Sequence, residues 1–264
     1  MSNPVFFTAP GSLDGLVPGS VFLLDGAEAR HAVTVKRLAV GETVDIADGA
    51  GKRLTGAVSD VAPNELTVTC SELSYEPQPA VRLVLVQALA KGDRDELAAE
   101  TATELGIDAV VPWQAERSIV RWKAERAAKA HAKWQSVVTA AAKQARRAWI
   151  PEVRSAVDGG GLQAAVAAAD LAIILHEDAV RPLRQVLESW QAANAAGDSS
   201  AGDGSGRGTE VLLIVGPEGG ISPREVTRLC DAGAVTALLG HHVLRSSTAG
   251  PAATVLASDI LGRW

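Results

Sequence analysis

Beyond residue 80 the chain alternates short apolar runs with amphipathic stretches. Val81–Ala88, Ile107–Val111, Leu171–Leu175, Val211–Val215 and Ala234–Leu239 have the length and continuity of strands buried on both faces. Helices are predicted between them. Asp93–Leu105 is closed by Gly106, and Pro182–Gln191 follows the third run. Ser222 fits an N-cap, Pro223 the first helical position, and Glu225 a capping box back onto Ser222. A last helix is expected from Thr248 to Leu261, with Gly250-Pro251 in its first turn and Val255 and Ile260 free to pack. Strand–helix alternation of this kind predicts an α/β domain over residues 80–264, a parallel sheet covered by helices.

The N-terminal part reads differently. Val21–Leu24, Thr43–Ala47, Arg53–Val61 and Leu66–Cys70 are closely spaced β patterns, joined by turns at Gly41-Glu42, Asp48-Gly49-Ala50-Gly51 and Pro63-Asn64. Glu28–Leu38 places His31, Val35 and Leu38 at helical spacing. Together these predict a small β-barrel over residues 1–74. The Pro-bearing connector Tyr75–Pro79 forms the domain boundary. Ala192–Gly208 is rich in Gly, Ser, Ala and Asp, the composition of a flexible surface loop, and is assigned no chemistry.

Composition narrows the class. The 264 residues are 47% apolar, with no apolar run long enough to span a bilayer and no basic-then-apolar leader, so a soluble cytoplasmic protein is expected. Cys70 and Cys230 lack metal-ligand spacing and read as buried or half-buried thiols; the histidines form no ligand cluster, so no metal is expected. A net charge of −6 argues against a generic polyanion binder. Yet Arg117, Arg121, Lys123, Arg126, Lys129, Lys133, Lys143, Arg146 and Arg147 fall in one segment that holds Glu125 as its acid. Such a segment suits RNA phosphates or a solvated helix face. Lys123, Arg126, Lys129 and Lys133 recur at helical spacing as one stripe, with Trp134, Val137, Val138 and Ala141 on another face.

Candidate chemistry lies in the C-terminal third. The strand at Val211–Val215 breaks into Gly216-Pro217-Glu218-Gly219-Gly220, and the next strand into Gly240-His241-His242, followed by Arg245. Glycine-bearing loops at the carboxyl ends of neighbouring strands are compatible with a ligand site or with ordinary tight turns. Neither loop has dinucleotide or P-loop spacing.

LLIVGPEGG followed by LLGHHVLRSSTA resembles the paired cofactor loops of SPOUT RNA methyltransferases. More narrowly it resembles the RsmE-type family, which methylates N3 of a uridine in small-subunit ribosomal RNA. Further segments are similar in order along the chain. HAVTVKRLAVGETVDIADGAGKRLTG is similar to the family's barrel motif through His31, Arg37, Gly41, Asp48 and Gly49. KGDRDELAAETATELGIDAVVPWQAERS resembles the first signature of its catalytic domain, and AAKQARRAWIPEV matches a motif through Gln144, Arg147 and Pro151. The chain departs from the pattern in three places. Pro4-Val5 precede Phe6-Phe7 where many members have arginine, His241-His242 stands for a frequent Pro-Arg pair, and Ser247 replaces a glutamate.

The resemblance implies a PUA-like RNA-binding barrel, then a SPOUT domain whose C-terminus forms a trefoil knot, in a homodimer acting on 16S rRNA of the small ribosomal subunit. It implies S-adenosyl-L-methionine held by Leu175 and His176, by Val215, Gly216, Pro217, Gly219, Gly220 and Ile221, and by Leu238, Leu239, Gly240, Val243, Leu244, Ser246, Thr248 and Ala249. RNA contacts are expected at Arg30, Arg37, Arg121, Lys123, Arg126, Lys133 and Arg146. Uridine N3 carries a proton, so the transfer needs a base or cations that stabilise the anion. Arg245, Arg117 and Arg147 are candidates for charge stabilisation, and Glu218 or His176 for the base. Two other readings stay open here: a SPOUT methyltransferase for another rRNA or tRNA nucleotide, and a non-catalytic RNA-binding assembly factor.

Overall fold

The computed structural model describes residues 3–195 and 208–264. Its contacts divide the chain into two units, Met1–Gln78 with Ala142–Ile150, and Pro79–Ala141 with Pro151–Trp264. The first break falls in the Pro-bearing connector. The return of 142–150 to the first unit departs from a division into 1–74 and 80–264. Of the Ala192–Gly208 stretch, residues up to Ala195 are helical and Gly208 directly precedes the strand Thr209–Val215, and 196–207 lie outside the described residues.

The first unit is a five-stranded sheet in the order β1 (Val5–Phe7), β3 (Thr43–Ala47), β4 (Lys52–Ala62), β5 (Glu65–Tyr75), β2 (Val21–Leu24). β1 lies parallel to β3, and the other pairs are antiparallel. Phe6, Leu13, Ile46, Leu54, Leu66 and Val68 fill its core. The helix expected over 28–38 is α1 (Gly26–Arg30) continued by a π-helical turn, His31–Val35. Arg37 at φ 55° ends it, and the buried positions are Ala29 and Ala32 rather than His31, Val35 and Leu38. Trp149 belongs to this unit. Its Nε1 donates to the Glu76 carbonyl at 2.7 Å, and a Cβ on Gly51 would lie 2.7 Å from its ring, so the close approach requires glycine there.

The second unit is a six-stranded parallel sheet. Its order is β11 (Val235–Ala237), β9 (Leu171–Leu175), β10 (Thr209–Val215), β6 (Val81–Ala88), β7 (Ala109–Trp113), β8 (Glu152–Val153). Val84, Val86, Ile174, Leu212 and Ile214 form much of one core layer. Pro112 lies inside β7, where a proline would ordinarily end a strand. The Val110 carbonyl and the Gln114 amide face the β8 side, so by alternation the missing Pro112 N–H falls just past two-residue β8, where no ladder bond is lost.

α2 (Arg94–Glu104), α3 (Ala124–Gln144), α4 (Gly159–Ala168), α5 (Leu183–Ala195), α6 (Pro223–Asp231) and α7 (Ser246–Ile260) complete the helices. α7 starts two residues before its predicted position, so Pro251 sits inside it rather than in the first turn. Its buried face is made of small residues, Gly250, Ala253, Thr254, Ala257 and Ser258, whereas Val255 and Ile260 are half-buried. A Cβ on Gly250 would meet Leu85 at 2.8 Å, so α7 rests directly on β6. Arg263 then ties the chain end to the Asp108 carboxylate at 2.7 Å. Cys70 is buried, while Cys230, expected at least half-buried, is exposed; both are free. Among the described residues no helix is long and apolar enough to cross a membrane.

Candidate active site

α6 begins as its sequence predicts. Ser222 Oγ accepts from the Glu225 amide and Glu225 Oε2 accepts from the Ser222 amide, both at 3.1 Å. The box reaches further than local reading shows. Ser222 Oγ donates to Glu116 Oε2 at 2.7 Å, and buried Glu225 accepts the Glu116 amide at 2.8 Å through Oε1. The segment after β7 is thereby fastened to the start of α6. From that segment Nη1 of Arg117 donates to the Gly219 carbonyl at 3.0 Å.

The loop between β10 and α6 is thus held from outside. Within it, the Gly220 amide donates to the Pro217 carbonyl at 2.9 Å and Gly220 takes φ 70°, a conformation suited to glycine. Glu218 accepts two bonds at one oxygen, from the Lys91 amide at 3.1 Å and from Nη1 of Arg94 at 3.2 Å.

The second loop follows β11. Main-chain bonds from the Leu238 amide to the Arg181 carbonyl and from the Leu183 amide to the Leu238 carbonyl, both 2.8 Å, fix its entry. At its exit Arg245 is the extended N-cap of α7, its carbonyl accepting from the Thr248 and Ala249 amides. His176 follows β9, and its Nδ1 accepts from the Asp178 amide at 3.2 Å. A neutral His176 then carries its proton on Nε2, which makes that nitrogen a donor rather than a base.

These ends enclose a cleft of about 690 Å³ at the carboxyl side of β9, β10 and β11. It brings together Leu175, His176, Val215, Gly216, Pro217, Glu218, Gly219, Gly220, Ile221, Leu238, Leu239, Gly240, Val243, Leu244, Arg245, Ser246, Ala249 and Arg117. Two expected residues are not among its lining. Thr248 is exposed on the first turn of α7, and Arg147 belongs to the first unit. Sequence reasoning missed Arg94, Glu177, Asp178, Pro223, His241 and His242 as lining residues. Arg94 was findable: it opens the helix after β6, which neighbours β10, and ligands of parallel sheets sit at the carboxyl ends of such strands.

The expected RNA-contact residues fall in both units. Arg30, Arg37 and Arg146 are exposed in the first, and the Arg146 carbonyl accepts from Arg53 at 2.7 Å. Arg121, Lys123 and Arg126 are exposed in the second. Lys133 is engaged with Glu96 at 2.7 Å, and that carboxylate raises the pKa of its ammonium.

An RNA methyltransferase domain family model matches residues 76–258, and an RNA methyltransferase PUA domain model matches residues 24–69. Ribosomal RNA small subunit methyltransferase E of Mycobacterium bovis is 37% identical over 250 residues, covering 93% of this chain and 89% of its own. Among solved structures, a Legionella pneumophila protein described as a methyltransferase, in complex with bound SAM, is 26% identical with a TM-score of 0.79, covering 98% of both chains. Ribosomal RNA small subunit methyltransferase E of Neisseria gonorrhoeae, bound to S-adenosyl methionine, shares the fold at a TM-score of 0.76 and 24% identity, again covering 98% of both chains.

Proposed function

The chain belongs to the ribosomal RNA small subunit methyltransferase E family, and from that premise we propose that it transfers a methyl group from S-adenosylmethionine to N3 of a uridine in 16S rRNA. The observation that carries the reading is the single cleft joining three strand ends and the first turn of α7 with Arg94, Arg117 and Arg245. The residues present fit the cofactor. Gly240 lines the cleft, yet an added Cβ there meets nothing within 4 Å, so its main chain is open to a ligand.

S-adenosylmethionine supplies a methyl carbon already activated by its sulfonium. The chain then has to bind, align and exclude water. Main-chain groups of Gly216, Gly219, Leu239, Gly240 and Leu244 hold the cofactor in this reading, with Leu175, Ile221 and Leu238 as apolar walls. Arg245 and Arg117 stabilise the N3-deprotonated uracil, whose proton is released to solvent, as it takes the methyl carbon. Arg147, which belongs to the first unit, is assigned no role in this step.

The C-terminal segment through α7 is taken as the trefoil knot of the SPOUT class, and the active form as a homodimer. The first unit and the exposed cations Arg121, Lys123 and Arg126 bind the RNA in the cytoplasm. Titration calorimetry with S-adenosylmethionine tests the reading: saturable binding at one molecule per chain is expected, and no binding heat together with no thermal stabilisation would contradict it.

A further inference from the structure

The first cofactor loop is held by two ties that run to the same side of the sheet. Glu218 Oε1 takes the Lys91 amide and the Arg94 guanidinium, and the Gly219 carbonyl takes the Arg117 guanidinium. Lys91 and Arg94 follow β6, and Arg117 follows β7. In the strand order β11-β9-β10-β6-β7, both ties draw the β10 loop away from β9 and β11, the side that carries the other cleft loops. The anchor is itself hydrogen-bonded. Buried Asp95 accepts the Ala90 amide at 3.2 Å, and Gly92 and Asp93 adopt φ 71° and 60° to bring Lys91 and Arg94 round to one carboxylate oxygen.

We propose that Arg94 and Glu218 are a positioning pair that holds the Gly216–Gly220 loop open for S-adenosylmethionine, and that Glu218 is not the proton acceptor of the reaction. The proposal rests on the methyltransferase reading above. Glu218 lines the cleft, but its Oε1 is turned to two donors on the neighbouring strand end. Arg94 cannot be replaced by a neutral residue without leaving that carboxylate with the Lys91 amide alone. The pair therefore acts on cofactor affinity through the loop, whereas a base would act on the rate of the chemical step.

The test uses the full chain, calorimetry with S-adenosylmethionine, and methyl transfer to small ribosomal subunits. Arg94→Ala and Glu218→Ala should each weaken cofactor binding about tenfold, with kcat changed less than about threefold. The double variant should be no weaker than the worse single variant, since one tie is lost in all three. Arg94→Lys and Glu218→Gln keep a donor and an acceptor and should each recover about half of the loss on a logarithmic scale. Thermal melts establish that each variant is folded, and Arg94→Lys with Glu218→Gln carry the test if an alanine variant is not. The proposal is overturned if Glu218→Gln binds cofactor normally but loses about a hundredfold in kcat along with one limb of the pH–rate profile. Strictly additive losses in the double variant would also overturn it. If the wild-type chain itself fails to bind S-adenosylmethionine, the methyltransferase reading falls first and the pair's role with it.

Discussion

A valine in place of Gly240 adds an isopropyl group where the main chain faces the cleft. The backbone there is not in the left-handed region, and a Cβ meets nothing within 4 Å, so the substitution introduces no clash within the described protein. Its effect on folding should stay within about 0.5 kcal/mol, as for surface changes that touch nothing. Gly240 lines the cleft, so in this reading the added side chain competes with the cofactor for space. A ligand packed against that main chain must withdraw by more than a bond length, losing several contacts and at least one main-chain hydrogen bond. A hundredfold loss of affinity, about 2.7 kcal/mol, is the expected minimum. Gly216→Ala is the contrast. Its Cβ would lie 2.6 Å from Ile221 Cγ1 and 3.4 Å from the Ile221 amide, and Ile221 is itself buried in the core layer. Overpacking of this kind costs about 1–3 kcal/mol, or about 2–4 °C of melting temperature per kcal/mol in a chain of this size. Melting scans and calorimetry with S-adenosylmethionine on both variants separate the effects. A Gly240→Val protein that melts like the wild type and binds the cofactor equally well would refute the assignment of this loop.

Four other expectations follow from the geometry. Glu210→Ala leaves Arg82 and Arg154 without the buried carboxylate that binds both at the amino-terminal end of β10, and should lower stability by about 2–3 kcal/mol on denaturant unfolding, with kcat unchanged because the cleft is at the other end of the strand. Ser222→Ala removes the α6 cap and the hydroxyl donor to Glu116, for a loss of about 1–2 kcal/mol by the same measurement. Asp158 caps α4 by accepting the Gly161 and Gly160 amides, which lowers its pKa; its stabilisation is present above the ordinary carboxylate value and lost as pH falls through the lowered one, so the melting difference between wild type and Asp158→Ala should close on acidification below about pH 4. Reversing exposed Arg126 and Lys129 to glutamate should weaken binding to 16S rRNA and reduce the salt slope by about two in logarithmic terms, whereas an unaltered slope would make this stripe a merely solvated face.

Features set by near neighbours were legible before the structure. The α6 capping box needs Ser222 and Glu225 three positions apart, and β6 and β9 are apolar runs with the bounds expected of them. The two glycine loops pointed to the cleft because they end strands that the topology makes neighbours of a third. What depended on tertiary contact was not legible. Residues 142–150 join the first unit through Trp149, whose ring needs the missing side chain of Gly51 some hundred positions away. The start of α7 was missed because Ser246 and Ser247 carry no apolar period, and its buried face is small-residue rather than Val255 and Ile260, since Gly250 must rest on Leu85. Glu218 looked like a free carboxylate in sequence, because Arg94 and the Lys91 amide reach it from more than a hundred residues away.

The most direct measurement is methyl transfer itself. Purified protein, labelled S-adenosylmethionine and small ribosomal subunits from a strain lacking this protein are combined, and the 16S rRNA is digested to nucleosides for mass spectrometry. Labelled 3-methyluridine is expected, in amounts approaching one per subunit and strongly reduced in the Gly240→Val reaction at the same, sub-saturating cofactor concentration. Label in a different nucleoside, or none despite cofactor binding, would contradict it.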